Sequence, residues 1–417
     1  MRLRFTFGLV ALLVAAGCAG RQETTPAPAP QSTAPAGVTL PVTGVPASPA
    51  KVGLLVPLTG SGAGLGEDLV DAAQMALFDV GRTDLELLPR DAGDQPDKAE
   101  AAARSALDAG AELLLGPVFG RSAQAVAPIA AARGVNVISF SNDASVARPG
   151  LYVLGYRPEE QVERIVRYSA AQRRTRFAAL APGDAYGSRA LAAWRGAITK
   201  IPGAMAAIAV SYPPGGGDVP KAEVQQVAAF GRPNGLPLEA ATEPGVQAPR
   251  PQGLPPPGFD AVLIADGGQR VRAIAALLAY YDIGPATVVL QGTMRWRDDP
   301  NLLTDAGLQG AMLATWPPDS LADFQRRFAQ VYGRDPAPLA VLAYDATALS
   351  ALLAQGQPRF TPAQITDPQG FAGGAGIFRL RPDGLAEHGL AVVELQGGTT
   401  RVVDPAPKAF AAGVAGR

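Results

Sequence analysis

The residues of this chain that could take part in chemistry are small and polar, and they follow short apolar stretches. Eight of them lie in the first part of the chain, and three lie further on. They are Ser61, Gly64, Gly116, Pro117, Ser122, Ser139, Ser141 and Asn142, then Tyr186, Asp266 and Gly267. Hydroxyls, backbone amides and single polar side chains bind a ligand without easily transforming it. We expect the first set to line one wall of a binding site and the second set to line the facing wall.

These residue types suit a ligand that carries a carboxylate. Serine hydroxyls and the backbone N–H groups at helix starts bind anions, because the positive end of the helix dipole points there. An ammonium group on the same ligand could be held by Asp266. Each residue alone is also a common turn or capping residue. Only their shared position after the strands favours a site.

The composition gives little support for catalysis or for a metal site. The chain has one cysteine and one histidine, His388, which weighs against Cys/His metal sites and Ser-His-Asp chemistry. The glycine-rich loop after the first strand has Glu67 where a dinucleotide-binding motif needs its third glycine. We therefore expect no enzyme, no cofactor and no metal.

Two further stretches are interpreted as structural. Asp298 and Asp299 precede Pro300, which favours a solvated turn over a pair of catalytic acids. Trp296 stands between Arg295 and Arg297, and we interpret it as a partly packed loop aromatic.

The elements that must position the site residues are strand–loop–helix units. In the opening unit, residues 52–56 are apolar like a strand buried on both faces, and a helical apolar period follows the glycine-rich loop. The pattern repeats along the chain. Further strands are predicted near residues 85–89, 113–115, 135–140, 151–156, 177–181, 206–212, 259–265 and 287–290. This alternation predicts an α/β protein with doubly wound parallel sheets, whose ligands bind at the carboxyl ends of the strands.

A chain of 417 residues exceeds one ordinary core, so we expect two lobes. The first lobe is predicted from residues 50–156 and 292–372, and the second from residues 157–291 and 373–400. Three smaller assignments accompany this division. A strand at 311–316 belongs to the first lobe, segments 376–380 and 390–395 form an antiparallel pair on the second, and the Pro/Gly-rich residues 231–258 form a mobile insertion. Residues 401–417 are predicted to be a tail.

The amino terminus resembles a bacterial lipoprotein signal over residues 1–18. Arg2 and Arg4 precede an apolar stretch that is short for a bilayer span, and small residues then lead to Cys18. The resemblance implies that Cys18 is lipidated, and Ala19 after it favours the outer membrane over the inner one. Residues 19–49 are rich in Pro, Ala and Thr and predict a disordered tether. The net charge of −1 gives no general attraction to nucleic acid.

The folded part resembles the type I periplasmic binding-protein superfamily. The similar stretches are KVGLLVPLTG, LLLGPVFGRSAQAVAPIA, VNVISFSNDASV, APGDAYG, FDAVLIADGG and LAYDATALSALL, in this order. The resemblance implies two Rossmann-like lobes joined by three crossovers, with a ligand cleft between the lobes.

Two groups within this superfamily are similar to the chain. The first is the penicillin-binding-protein activators, outer-membrane lipoproteins that stimulate a peptidoglycan synthase; PLTGSGAGLGEDLVDAAQMALFD, the tether and GGAGIFR at 373–379 resemble them. The second is the substrate-binding receptors of branched-chain amino-acid ABC importers. In those receptors, hydroxyl residues at the positions that match Ser122, Ser139 and Ser141 bind the ligand carboxylate. Tyr186 and Asp266 correspond loosely to ligand contacts from the second lobe.

The chain departs from both groups. It lacks the amino-terminal helical repeat domain of the longer activators, and Arg121 precedes Ser122 where a bulky cation could reshape the pocket of a receptor. The sequence favours a non-catalytic envelope lipoprotein that regulates a penicillin-binding protein. The alternative is an importer receptor for branched-chain amino acids or related small polar solutes, whose partner is an ABC permease.

Overall fold

The computed structural model describes residues 49–215, 219–236, 253–297, 299–355 and 357–410. These residues belong to one compact unit, Ser48–Arg417. The predicted signal with Cys18 and nearly all of the predicted tether lie outside the described residues. The same is true of residues 237–252 of the predicted insertion, of Asp298 and of the end of the predicted tail.

The first sheet has five parallel strands in the order β2-β1-β3-β4-β5. They are β1 (Ala50–Val56), β2 (Leu85–Asp91), β3 (Leu113–Leu115), β4 (Asn136–Ser139) and β5 (Leu151–Val153). The helices of this part are α1 (Ala63–Val80), α2 (Pro96–Asp108) and α3 (Gly120–Ala131). The predicted strand–helix alternation is therefore confirmed here.

The second sheet has seven strands in the order β15-β14-β10-β9-β8-β6-β7. The strands are β6 (Arg176–Pro182), β7 (Met205–Tyr212), β8 (Ala261–Ile264), β9 (Val289–Gly292), β10 (Met312–Thr315), β14 (Ala391–Gln396) and β15 (Thr399–Asp404). Strands β6 to β10 are parallel, whereas β14 and β15 are antiparallel to their neighbours. The helices between these strands are α4 (Pro158–Ala171), α5 (Ala185–Thr199), α6 (Lys221–Ala229), α7 (Gly268–Tyr280) and α8 (Pro300–Leu303).

A third, small antiparallel sheet has the order β11-β12-β13. Its strands are β11 (Phe371–Gly373), β12 (Gly376–Leu380) and β13 (Ala386–His388). The remaining helices are α9 (Pro318–Tyr332), α10 (Ala340–Leu353) and α11 (Pro362–Ile365). Helices α9 and α10 pack against α1, so the chain returns to the first sheet through them.

The structure corrects three strand assignments made from the sequence. β10 was expected in the first lobe, but it pairs with β9 in the second sheet, so the return to the first sheet follows Thr315. Segments 376–380 and 390–395 do not pair with each other, because β12 pairs with β11 and β13 while β14 pairs with β10. Residues 401–404 are not a tail but the end of β15. A local apolar pattern does not specify which distant strand will be the partner.

Both large sheets are covered on both faces, as parallel sheets require. In β1, Leu54 packs into the core on one face and Leu55 into the core on the other. In β6, Leu180 likewise packs into the core on one face and Ala181 into the core on the other. The alternation follows from the two-residue period of a strand. It leaves the carboxyl ends of the parallel strands as the place where polar residues gather.

Candidate ligand-binding cleft

The first wall of the candidate cleft is built at the carboxyl ends of β3 and β4. Ser139 is fully buried at the end of β4, and its hydroxyl donates to the carbonyl oxygen of Pro117 at 2.8 Å. The same hydroxyl accepts from the backbone N–H of Ser141 at 3.1 Å. The Ser141 hydroxyl in turn accepts from the N–H of Asp143 at 3.0 Å. These two hydroxyls therefore already brace the loops they belong to.

Gly116 lets the end of β3 approach its neighbours closely. Its φ is +83°, and a Cβ atom there would lie 2.1 Å from the carbonyl oxygen of Leu55. Its N–H donates to the carbonyl of Ile138 at 2.8 Å. Only glycine fits this position, because a side chain would clash with the backbone of β1.

The remaining residues predicted for the first wall have different environments. Ser122 lies inside α3, fully buried, and its hydroxyl has no hydrogen-bond partner among the described residues. Ser61 and Gly64 are exposed around the start of α1, which follows the carboxyl end of β1. They share the edge of the sheet with Ser139, but they are not part of its hydrogen-bonded cluster.

The second wall centres on Arg295, which follows β9. Its guanidinium lies over the ring of Tyr186 in the first turn of α5, 3.8 Å from the ring centre. One guanidinium nitrogen lies 4.0 Å from a carboxylate oxygen of Asp266, which follows β8. A Cβ atom on Gly267 would lie 3.3 Å from the Arg295 side chain. The three residues predicted for this wall therefore converge on one arginine.

Asp266 is already balanced by its neighbours. Its side chain is 13% exposed, and it accepts the Tyr212 hydroxyl at 2.8 Å and lies 3.5 Å from Arg270. Burial and the Asp266 charge raise the pKa of Tyr212, so this hydroxyl stays protonated and donating. Burial also raises the pKa of Tyr186. The role expected for Asp266, binding a ligand ammonium, would compete with two arginines and a tyrosine.

A hydrogen bond joins the two walls. Arg189, one turn after Tyr186 in α5, donates to the carbonyl oxygen of Asn142 at 2.6 Å. Its other contacts are to Glu159, at 2.7 and 2.9 Å. The loop after β4 and the start of α5 therefore face each other at this contact.

Arg189 and Arg295 were not among the site residues predicted from the sequence. Their only sequence signal was position, because each lies within a few residues of a strand end. Trp296, expected to be partly packed, is fully buried and donates its indole N–H to the carbonyl of Asp266 at 3.0 Å. It thus fixes the loop from which Arg295 projects.

The described ranges contain neither a metal-binding cluster nor a membrane-spanning helix. No group of three or more His, Cys, Asp or Glu side chains is placed to hold a metal ion there. Nor does any helix in those ranges have the length and apolar character needed to cross a membrane.

Solved structures with a similar fold come from several bacteria. A putative branched-chain amino acid ABC transporter protein from Rhodospirillum rubrum is 19% identical, with a TM-score of 0.69 over 85% of this chain and 100% of that chain. LivJ from Streptococcus pneumoniae, solved with isoleucine, is 15% identical, with a TM-score of 0.57 over 86% and 100%. A solute binding protein from Rhodopseudomonas palustris, solved with 3,4-dihydroxybenzoic acid, is 18% identical, with a TM-score of 0.58 over 87% and 97%.

At these identities the similarity establishes a shared fold. A search among curated proteins finds none that matches this chain. A family model described as periplasmic binding protein matches residues 49–400, which is most of the chain. The chain therefore belongs to the periplasmic binding-protein family and has the two-sheet fold of its type I members.

Proposed function

We propose that this protein is the solute-binding receptor of an ABC importer and binds a small carboxylate between the two walls of the candidate cleft. The observation that carries the proposal is the Arg189–Asn142 hydrogen bond, which sets the loops of the two sheets face to face. The family match and the solved importer proteins with this fold support a transport role. The sequence favoured regulation of a penicillin-binding protein and gave this receptor function as the alternative.

Arg295 indicates the chemical class of the ligand. Its side chain is 46% exposed and lies over the Tyr186 ring, and a carboxylate oxygen of Asp266 is 4.0 Å from its guanidinium. A guanidinium presents paired N–H donors that match a carboxylate, and stacking on a ring limits its motion. The ligands in the LivJ and Rhodopseudomonas palustris structures are also carboxylates. A carboxylate solute therefore suits this wall better than a purely cationic one.

A thermal-shift panel tests the proposal. Leucine, valine, isoleucine and benzoate should raise the melting temperature by mass action, whereas the matching amides should not. Arg295→Gln should abolish the shift, and Arg195→Gln, an exposed arginine on α5, should leave it intact. A panel with no shift, or a shift unaffected by Arg295→Gln, would contradict the carboxylate site.

A second candidate function is regulation of a peptidoglycan-synthesising penicillin-binding protein. The observation that favours it is that Ser139 donates its hydroxyl proton to the Pro117 carbonyl, so this proton is not available to a ligand carboxylate. The Ser141 hydroxyl is also engaged, as the acceptor of the Asp143 N–H. Recovery of an envelope penicillin-binding protein in a pull-down, together with no thermal shift from any ligand of the panel, would support it. Ser139→Ala combined with Ser141→Ala should then leave partner binding intact.

We also propose that the protein is held in the periplasm by a lipid on Cys18, with residues 19–49 as the tether to the outer membrane. The family match supports the periplasmic location. Cys18→Ser should release the protein from the membrane fraction. Lipidated protein found only in the inner membrane would contradict outer-membrane attachment.

A further inference from the structure

A cavity of about 610 Å³, here called the rear cavity, lies away from the candidate cleft. It is bounded by α4, the end of α5, the β12–β13 hairpin and residues 405–410. Lys200, at its edge, caps the carboxyl end of α5, whereas Tyr186 of the cleft lies in the first turn of the same helix. A helix of that length separates its ends by about 20 Å. The rear cavity is therefore a separate space, and its size is usual for a small-molecule site.

The buried part of the lining is a triad of polar side chains. Arg157, Glu160 and His388 all line the cavity, and the Arg157 and His388 side chains are each only 7% exposed. Arg157 donates to Glu160 at 2.9 Å, and the Nδ1 atom of His388 lies 3.0 Å from the other Glu160 oxygen. Within the described ranges, Arg157 Nε and His388 Nε2 have no partner. Burying such a cluster is costly, and clusters of this kind are common at binding sites.

The rim of the cavity carries an excess of cations. Arg164 and Arg167 follow Glu160 on one face of α4, at helical spacing, and Lys200 faces them from α5. Arg167 and Lys200 share a single carboxylate, Glu163, each at 3.2 Å. Two positive charges therefore have one counter-ion, and both side chains are largely exposed, at 62% and 69%.

The other charged groups of the lining are paired. Arg164 lies 2.7 Å from Asp404, Arg381 pairs with Asp383, and Glu387 lies 2.7 Å from Arg379. These pairs neither add to nor cancel the charge at Arg167 and Lys200. The unmatched positive charge is thus at the α4–α5 side of the cavity.

Another part of the lining is apolar and is formed largely by residues 405–410. The Phe410 ring lines the cavity and is held by the guanidinium of Arg379, 4.6 Å from the ring centre. Pro405, Pro407 and Leu390 complete this part of the lining. An aromatic ring and two prolines form a rigid surface for an apolar group.

We propose that the rear cavity is a second binding site, for a small ligand that carries an anionic group on an apolar body. The anion, a carboxylate or a phosphate, binds between Arg167 and Lys200, and the apolar body packs against Phe410. The site is independent of the proposed transport function, because it shares no residue with the candidate cleft.

Calorimetric titration of the Arg295→Gln protein tests this site without a contribution from the cleft arginine. The probes are phenyl phosphate and benzoate, which separate the two anions, and benzyl alcohol, which lacks the charge. We expect one of the anions to bind and benzyl alcohol not to bind. Adding Arg167→Gln and Lys200→Gln should weaken the affinity for the anion by about tenfold or more, since each charged hydrogen bond to the anion is lost.

Two controls make the result specific to the cavity. Arg195→Gln, which removes an exposed cation on α5, should leave the affinity unchanged. Phe410→Ala should weaken phenyl phosphate more than inorganic phosphate, because only the former has an apolar body. Absence of binding by both anions, or equal affinities with and without Arg167 and Lys200, would overturn the proposal.

Discussion

At the scale of single residues, the buried serines near the cleft differ in what their hydroxyls do. Ser139 both donates to Pro117 and accepts from Ser141, so its hydroxyl joins the ends of β3 and β4. Ser122 is equally buried, but its hydroxyl has no partner among the described residues. A buried polar group stabilises only when it is paired.

Ser139→Ala should lower the free energy of unfolding by about 1–3 kcal/mol, because it leaves the buried Ser141 N–H unpaired. It also removes one of the two hydrogen bonds to the Pro117 carbonyl, which keeps the one from the Phe140 N–H. Ser122→Ala should be neutral or stabilising, since it removes an unpaired buried hydroxyl. Urea denaturation of both variants without ligand measures the difference. Equal costs for the two serines would show that the Ser139 hydrogen bonds contribute nothing.

Asp345 in α10 is buried beneath the β11–β12 turn. It accepts from the N–H of Gly374, and a Cβ atom on Gly373 would lie 2.5 Å from its carboxyl carbon. The glycines of this turn thus allow the backbone to reach the carboxylate. Burial raises the pKa of Asp345 from 3.8 to about 7, against the opposing effects of the backbone N–H groups and His388.

This pKa predicts a pH dependence of stability. Between pH 3.8 and about 7 the folded state holds a proton on Asp345 that the unfolded state has lost. The Asp345 contribution to stability is therefore full below this range and declines as the pH rises through it. Asp345→Asn should flatten that decline in denaturation experiments from pH 4.5 to 7.5. Asp335→Asn, at an exposed site, serves as the control, and an unchanged slope in Asp345→Asn would contradict the assignment.

At the scale of elements, α1 is placed by a close approach to the end of β1. A Cβ atom on Gly66 would lie 1.9 Å from the carbonyl oxygen of Pro57. A Cβ atom on Gly64, in the same helix, would have no heavy atom within 4 Å. The first turn of α1 therefore contains one glycine required for packing and one that is not.

Gly66→Ala should destabilise the protein by about 2 kcal/mol or more, because backbone must move to admit the methyl group. Gly64→Ala should stabilise it by up to about 1 kcal/mol through the lower entropy of the unfolded chain. Thermal unfolding of the two variants compares them directly. If Gly64→Ala also keeps the ligand response, Gly64 is not a ligand contact; a destabilising Gly64→Ala would contradict the packing argument.

At the scale of the whole molecule, one arginine joins the two sides of the candidate cleft. Arg189 of α5 joins Glu159 of α4 to the Asn142 carbonyl, which belongs to the loop after the first sheet's β4. One guanidinium thus links the two sides of the candidate cleft. From this position, we expect Arg189 to affect how far the two lobes open.

Arg189→Gln should shift the lobes toward an open arrangement, because a charged hydrogen bond contributes about 1.5–3 kcal/mol. Small-angle scattering should show a larger radius of gyration, with Arg195→Gln as the control on the same helix. Identical scattering from the Arg189 variant and the parent protein would contradict the role of this contact.

The sequence by itself determined the alternating elements and the parallel strands of both large sheets, because strand and helix periods and buried apolar runs are local properties. It also placed Ser139, Ser141, Tyr186 and Asp266 near strand ends, where they lie in the structure. That they bind a ligand stays a prediction. Only the tertiary structure decided that β10 pairs in the second sheet and that β12 belongs to a third.

The tertiary structure also decided the partners of the arginines. Arg189 meets a carbonyl 47 residues away, and His388 meets a carboxylate 228 residues away. Local patterns state that a side chain is charged or apolar, but not which distant group it will face. The pairings, the balanced charge of Asp266 and the rear cavity arise only when separate segments are brought together by folding.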